Sequence, residues 1–104
     1  MRYLYHATSY DNLGNILDEG LKLSSDRVVY LAETPKDAVK FVVLRGYDRI
    51  LTVKVKVPKK LENTIIGTFD HSFSIFKCRA FGSTINIETN RLTDYAVWDI
   101  GNMF

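Results

Sequence analysis

The order of segments predicts an α+β fold: a single small domain of mixed or antiparallel sheets with two short helices. Three observations carry this expectation. Two strand–helix units open the chain, each closed by a glycine, Gly20 and Gly46. A run of period-two strands follows, clearest between Arg49 and Val57. No Gly-rich turn of the kind that cradles phosphates in doubly wound or P-loop folds joins a strand to a helix. At 104 residues the chain has room for one domain, residues 1–104, and no repeat or linker composition divides it.

Each element has its own signal. Arg2 to Ala7 alternates large apolar with shorter polar residues and reads as a strand. Thr8, Ser9 and Asp11 offer caps for a helix whose apolar stripe is Leu13, Ile16 and Leu17. Gly20 ends that helix, and Leu21 folds back as the apolar residue after the cap. Val28 to Ala32 is long enough for a buried strand and too short for a helix. Thr34-Pro35-Lys36-Asp37 is a helix start: an N-cap hydroxyl, proline in the first turn, and an acid facing the positive end of the helix dipole. Ala38, Phe41, Val42 and Arg45 continue that helix to Gly46.

In the strand from Arg49 to Val57, Leu51, Val53, Val55 and Val57 share one face, with Thr52, Lys54 and Lys56 on the other. The two lysines read as a solvated face. Lys59 to Ser72 is expected to be an irregular loop. Phe73 to Phe81 and Thr84 to Glu88 are weaker strand candidates. Thr93 to Ile100 puts Ala96, Trp98 and Ile100 on one side, Tyr95, Val97 and Asp99 on the other.

Composition excludes several function classes. An apolar fraction of 46% with 25% charged residues is globular, not disordered. A net charge of +2, with no dense basic stripe, does not describe a phosphate-backbone binder. One cysteine, Cys78, allows no internal disulfide and no multi-thiolate zinc site; it reads as a small buried residue. With only His6 and His71 besides, no metal centre is expected. No apolar run approaches a membrane span, and Met1 to His6 has no apolar signal core, so the expected location is the cytoplasm. Asp70-His71-Ser72 brings acid, imidazole and hydroxyl together, but adjacent strand residues point to opposite faces, and the stretch reads as a loop.

Polar residues interrupt otherwise apolar strands at three places: His6 and Thr8, Tyr30, and Asp94. A histidine at a strand end, a tyrosine within an apolar strand and an acid opening a late strand are residue types that can meet at one cleft. Taken singly, each is as well explained by a satisfied core or capping role.

Their order carries more. His6-x-Thr8, a helix ending Ile16-Leu17-x-x-Gly20-Leu21, the strand Val29-Tyr30-Leu31-Ala32, a helix containing Asp37-Ala38, and Thr93-Asp94-Tyr95-Ala96-Val97-Trp98-Asp99 together resemble the ADP-ribosyltransferase superfamily. The nearer branch is that of the poly(ADP-ribose) polymerases and diphtheria toxin, with its His–Tyr–Glu triad. The resemblance covers Tyr3 to Phe41 and Leu92 to Ile100, about half the chain.

The resemblance implies NAD as the substrate and no metal. His6 would bind the adenosine ribose, the backbone of Ala7 the nicotinamide carboxamide, and Thr8 the nicotinamide-side ribose or the backbone beside it. Tyr30 would stack on the nicotinamide ring, with Phe41 supplying the second face. Asp94 would stand for the family's glutamate and stabilise the oxocarbenium-like state, with His6 and Tyr30 completing a His–Tyr–Asp set. Aspartate is one methylene shorter, and a displacement of ~1 Å can cost ~10²-fold in rate. Asp37 replaces a serine that is usual in the family.

The expected activity is mono-ADP-ribosyl transfer to a protein or nucleic-acid target with release of nicotinamide. Two alternatives stand beside it. One is RNA 2′-phosphotransferase chemistry, for which Arg2 and Arg27 are the nearby cations. The other is a non-catalytic member of the fold that binds NAD or a protein and inhibits a host or defence protein.

Overall fold

The computed structural model describes residues 1–68 and 80–100. Among these residues, six strands and two α-helices follow in the order β1 (Arg2–Ser9), α1 (Leu13–Glu19), β2 (Val29–Leu31), α2 (Pro35–Val42), β3 (Arg49–Val57), β4 (Ile65–Thr68), β5 (Ala80–Ser83) and β6 (Leu92–Asp99). Two antiparallel three-stranded sheets result, β1-β3-β6 and β2-β5-β4. Among the described residues, one bridge, Tyr5 to Ala32, links them. Across it, the strands run β4-β5-β2-β1-β3-β6. The expected α+β fold is the one observed.

The period-two pattern of β3 explains its central place. Leu51, Val53, Val55 and Val57 are fully buried, packing with Leu4 of β1, Ile16 of α1, Leu21, Leu31 and Ile87. A second core lies on the opposite face, where α2 sets Ala38, Val39 and Val42 against Ala7, Ala32 and Ile50. Trp98 packs against this second core and donates its indole N–H to Thr52 Oγ1 at 2.9 Å. The sheet β1-β3-β6 is thus covered on both faces, by α1 and by α2.

The helix ends are built as their residues dictate. Thr34 Oγ1 accepts the Asp37 N–H at 3.1 Å, capping α2. Gly20 closes α1 at φ +76°, and a Cβ there would collide with the Ile87 carbonyl oxygen. That approach lets Leu21 and Ile87 exchange backbone hydrogen bonds of 2.9 and 2.8 Å.

Some expectations are corrected. The helix predicted to run to Gly46 stops at Val42 and tightens into a 3₁₀ turn, Val43–Arg45. Adjacent β-branched Val42 and Val43 crowd a continuing α-turn, and tighter last turns are common at helix ends. The stretch Lys59–Ser72 is not all loop: a 3₁₀ segment, Lys59–Thr64, leads into β4, where Ile65 and Ile66 suit a strand. Thr84–Glu88 forms no strand, because Ser83 Oγ donates to the Ile85 carbonyl at 2.7 Å and turns the chain. The stretch Phe73–Phe81 is described only at its end, in β5; Asp70, His71 and Cys78 lie outside the described residues. Among the described residues, no helix is long and apolar enough to cross a membrane.

Candidate functional site

The two sheets part immediately beyond their one bridge. Tyr5 gives its N–H to Ala32 O and takes the Ala32 N–H, both at 2.8 Å, so its peptide groups point toward β2. In a strand, peptide groups two residues apart point the same way, so those of Ala7 also face β2. There β2 has turned away, and Ala7 makes no backbone hydrogen bond across the gap among the described residues. A peptide donor and acceptor therefore face a notch.

His6 stands at that notch. Its Nδ1 lies 2.8 Å from the Tyr30 carbonyl oxygen. A carbonyl only accepts, so Nδ1 carries the hydrogen and Nε2 keeps its lone pair. Desolvation by burial lowers the His6 pKa below its usual 6.5, the Tyr30 carbonyl works against this, and the charge of Arg45 lowers it again. At neutral pH the imidazole is uncharged, and Nε2 accepts a hydrogen bond.

The notch opens into a hollow on each side of His6. Toward α2, a slot of about 60 Å³ is bounded by His6, Ala7, Tyr30, Phe41 and Arg45. Its helical wall follows from spacing: Ala38, Phe41, Val42 and Arg45 lie three, four and seven residues apart, on one face of the turn. Toward α1, a hollow of about 220 Å³ is bounded by His6, Thr8, Asn12, Asn15, Leu21 and Lys22. Thr8 Oγ1 is already engaged there, accepting from Asn12 Nδ2 at 2.7 Å.

Of the residues singled out in the sequence, the structure gathers His6, Ala7, Tyr30 and Phe41 around one slot and Thr8 next to it. It does not bring Asp94 there. Cross-strand partners share a face, and the register pairs His6 with Val53 and Tyr95, but Tyr5 with Lys54 and Asp94. Asp94 and His6 therefore point from opposite faces of the sheet. Asp94 is exposed on the edge strand β6, its Oδ1 accepting the Tyr95 N–H at 3.0 Å, and it borders a separate hollow with Tyr5, Pro35 and Lys54.

Two residues at or beside the site were not singled out in the sequence. Asp26 accepts the Tyr30 hydroxyl at 2.8 Å, bringing a carboxylate to the cleft tyrosine. Arg45 closes the slot four residues beyond Phe41, and that interval was its only signal. Asp26 had none, because the turn Ser24–Val28 that places it is closed by a backbone bond from Ser24 N to Val28 O. Among the described residues, no group of three or more His, Cys, Asp or Glu side chains is placed to hold a metal. No protein-family model and no curated protein matches this chain.

Proposed function

We propose that this protein binds NAD in the notch between its sheets, in the manner of the ADP-ribosyltransferases its motif order resembles. The observation that carries the reading is the Ala7 peptide, whose donor and acceptor face a gap flanked by His6, Tyr30 and Phe41. A primary carboxamide is the complement of such a peptide, offering one N–H donor and one carbonyl acceptor in a plane. Tyr30 and Phe41 supply aromatic surface for the ring that bears it. His6 Nε2, held neutral, accepts a ribose hydroxyl.

Transfer of ADP-ribose to a macromolecule is the second reading, and Asp26 is the observation that favours it. Cleavage of the nicotinamide–ribose bond builds positive charge on the ribose, and a carboxylate beside it lowers the barrier. Asp94 borders a separate hollow, whereas Asp26 is bonded to Tyr30. The RNA phosphotransferase reading is the weaker one, because Arg2 is engaged by Glu62 at 3.1 Å and stacks over Phe81.

Calorimetry with NAD, followed by incubation of the protein with labelled NAD and a cell lysate, separates these readings. Saturable NAD binding lost in Tyr30→Ala supports the cleft. Label on a macromolecular band, lost in Asp26→Asn and kept in Asp94→Ala, supports transfer. Absence of NAD binding refutes both.

A further inference from the structure

We propose that Arg45 is the phosphate-binding residue of this cleft, and that the ligand's pyrophosphate lies at the mouth of the slot on the Arg45 guanidinium. The inference rests on the NAD reading and deepens it by assigning the anionic part of the ligand.

The polar groups around the slot divide by charge. Among the residues that bound it, Arg45 is the one permanent cation. The rest of the slot is an imidazole, a phenol, an aromatic ring and aliphatic side chains. Four other basic residues are already engaged: Arg2 by Glu62, Lys40 by Asp37 at 3.5 Å, Arg49 over the Tyr10 ring and Lys54 over the Tyr3 ring; Lys22 lies in the separate α1-side hollow. Arg45 makes no ion pair, hydrogen bond or ring contact among the described residues, and it is exposed. Its guanidinium is free to close on an incoming anion without breaking a native contact.

His6 does not compete for that anion. Its Nδ1 proton is taken by Tyr30, and Nε2 offers a lone pair that repels phosphate oxygens and attracts a hydroxyl. The same positive charge that opposes protonation of His6 is therefore the group left to hold an anion. A guanidinium presents paired N–H donors matched to two phosphate oxygens. In NAD a ribose stands between the nicotinamide ring and the pyrophosphate, so this placement gives His6 the nicotinamide-side ribose in place of the adenosine ribose that the resemblance implies. Ring on Tyr30 and Phe41, hydroxyl on His6 and phosphate on Arg45 follow that order.

The test is titration of the full chain with NAD, ADP and nicotinamide riboside, which carries the ring and ribose without phosphate, using wild type, Arg45→Gln and Arg45→Lys. Arg45→Gln is expected to weaken NAD and ADP about 10- to 100-fold, the loss of a charge-assisted hydrogen bond, and to leave nicotinamide riboside unchanged. Arg45→Lys keeps part of the affinity. The salt dependence of NAD binding becomes shallower in Arg45→Gln.

Unchanged NAD affinity in Arg45→Gln overturns the assignment while leaving NAD binding intact. Tighter binding of both NAD and nicotinamide riboside also overturns it, since Arg45 then acts by repelling the cationic nicotinamide ring. Binding of ADP but not of NAD, with ADP lost in Arg45→Gln, upholds the phosphate subsite and refutes the NAD reading. If wild type binds neither NAD nor ADP, both fail.

Discussion

His6 donates its Nδ1–H to the carbonyl oxygen of Tyr30 at 2.8 Å, tying β1 to β2 across the gap that Tyr5 and Ala32 leave open. A side chain that lines the notch thus also ties its two walls together.

That bond gives stability a pH dependence whose sign is set. Burial lowers the His6 pKa in the folded protein, whereas the unfolded chain titrates near 6.5. The unfolded state therefore takes up a proton first as pH falls. The contribution of His6 is complete above about pH 6.5 and is lost as pH falls through the lower, folded pKa. Urea denaturation between pH 7.5 and 5 is expected to show this decline in wild type and its absence in His6→Gln. NAD affinity falls only as pH drops through the lower, folded pKa, because a protonated Nε2 donates where the ribose needs an acceptor. A wild-type stability curve flat across this range contradicts the assignment.

Asp94 borders a hollow separate from the slot, and its replacement has a different expected outcome. Asp94→Ala removes an exposed carboxylate whose one hydrogen bond is to the neighbouring Tyr95 N–H. Surface changes of this kind stay within about 0.5 kcal/mol. NAD affinity is expected to match wild type within about twofold, measured by calorimetry against Asp26→Asn in parallel. A tenfold loss in Asp94→Ala alone would show that the carboxylate reaches the ligand.

The aromatic walls make a separate prediction. Phe41→Leu keeps the apolar contact with the second core but loses a planar face, and Tyr30→Phe keeps the ring but loses the bond to Asp26. Ring stacking is worth about 0.5–1.5 kcal/mol beyond its area, so Phe41→Leu should weaken NAD roughly three- to tenfold. Tyr30→Phe should leave binding nearly intact and lower transfer of label, if transfer occurs through Asp26. Equal effects of the two variants on binding would remove the distinction.

Where local chemistry decides the outcome, the sequence was readable. β3 is an uninterrupted alternation, and it sits at the centre with the expected face buried. Thr34-Pro35 and Gly20 place helix ends by hydroxyl capping and by a positive-φ turn, and both appear in the structure. What escaped depended on pairing between distant segments. Ile65–Thr68 becomes a strand because β5 lies beside it, and Thr84–Glu88 does not because Ser83 turns the chain. The cleft shows the same division. His6, Tyr30 and Phe41 sit on elements whose ends the sequence marks, and they meet. The facing of Asp94 relative to His6 depends on the register of β6 against β3 and of β3 against β1, two long-range pairings that alternation within β6 does not reveal.

Two glycines of one helix unit test the α1 wall of the cleft in opposite directions. Gly14 lies inside α1, and a methyl added there would have nothing within 4 Å, so Gly14→Ala meets only the propensity gain of alanine. It should stabilise the fold by about 0.5–1 kcal/mol. Gly20 sits at φ +76° with the Ile87 carbonyl where a methyl would be. Gly20→Ala must break the paired Leu21–Ile87 hydrogen bonds or move the segment that carries them, for a loss above about 2 kcal/mol. Because Gly20 and Leu21 also line the larger hollow beside His6, the displaced segment should weaken ADP binding as well. Thermal denaturation of both variants, with ADP titration of whichever remains folded, checks the pair. Gly20→Ala as stable as Gly14→Ala would mean that α1 does not close against Ile87, and the α1 wall of the cleft would then lie elsewhere.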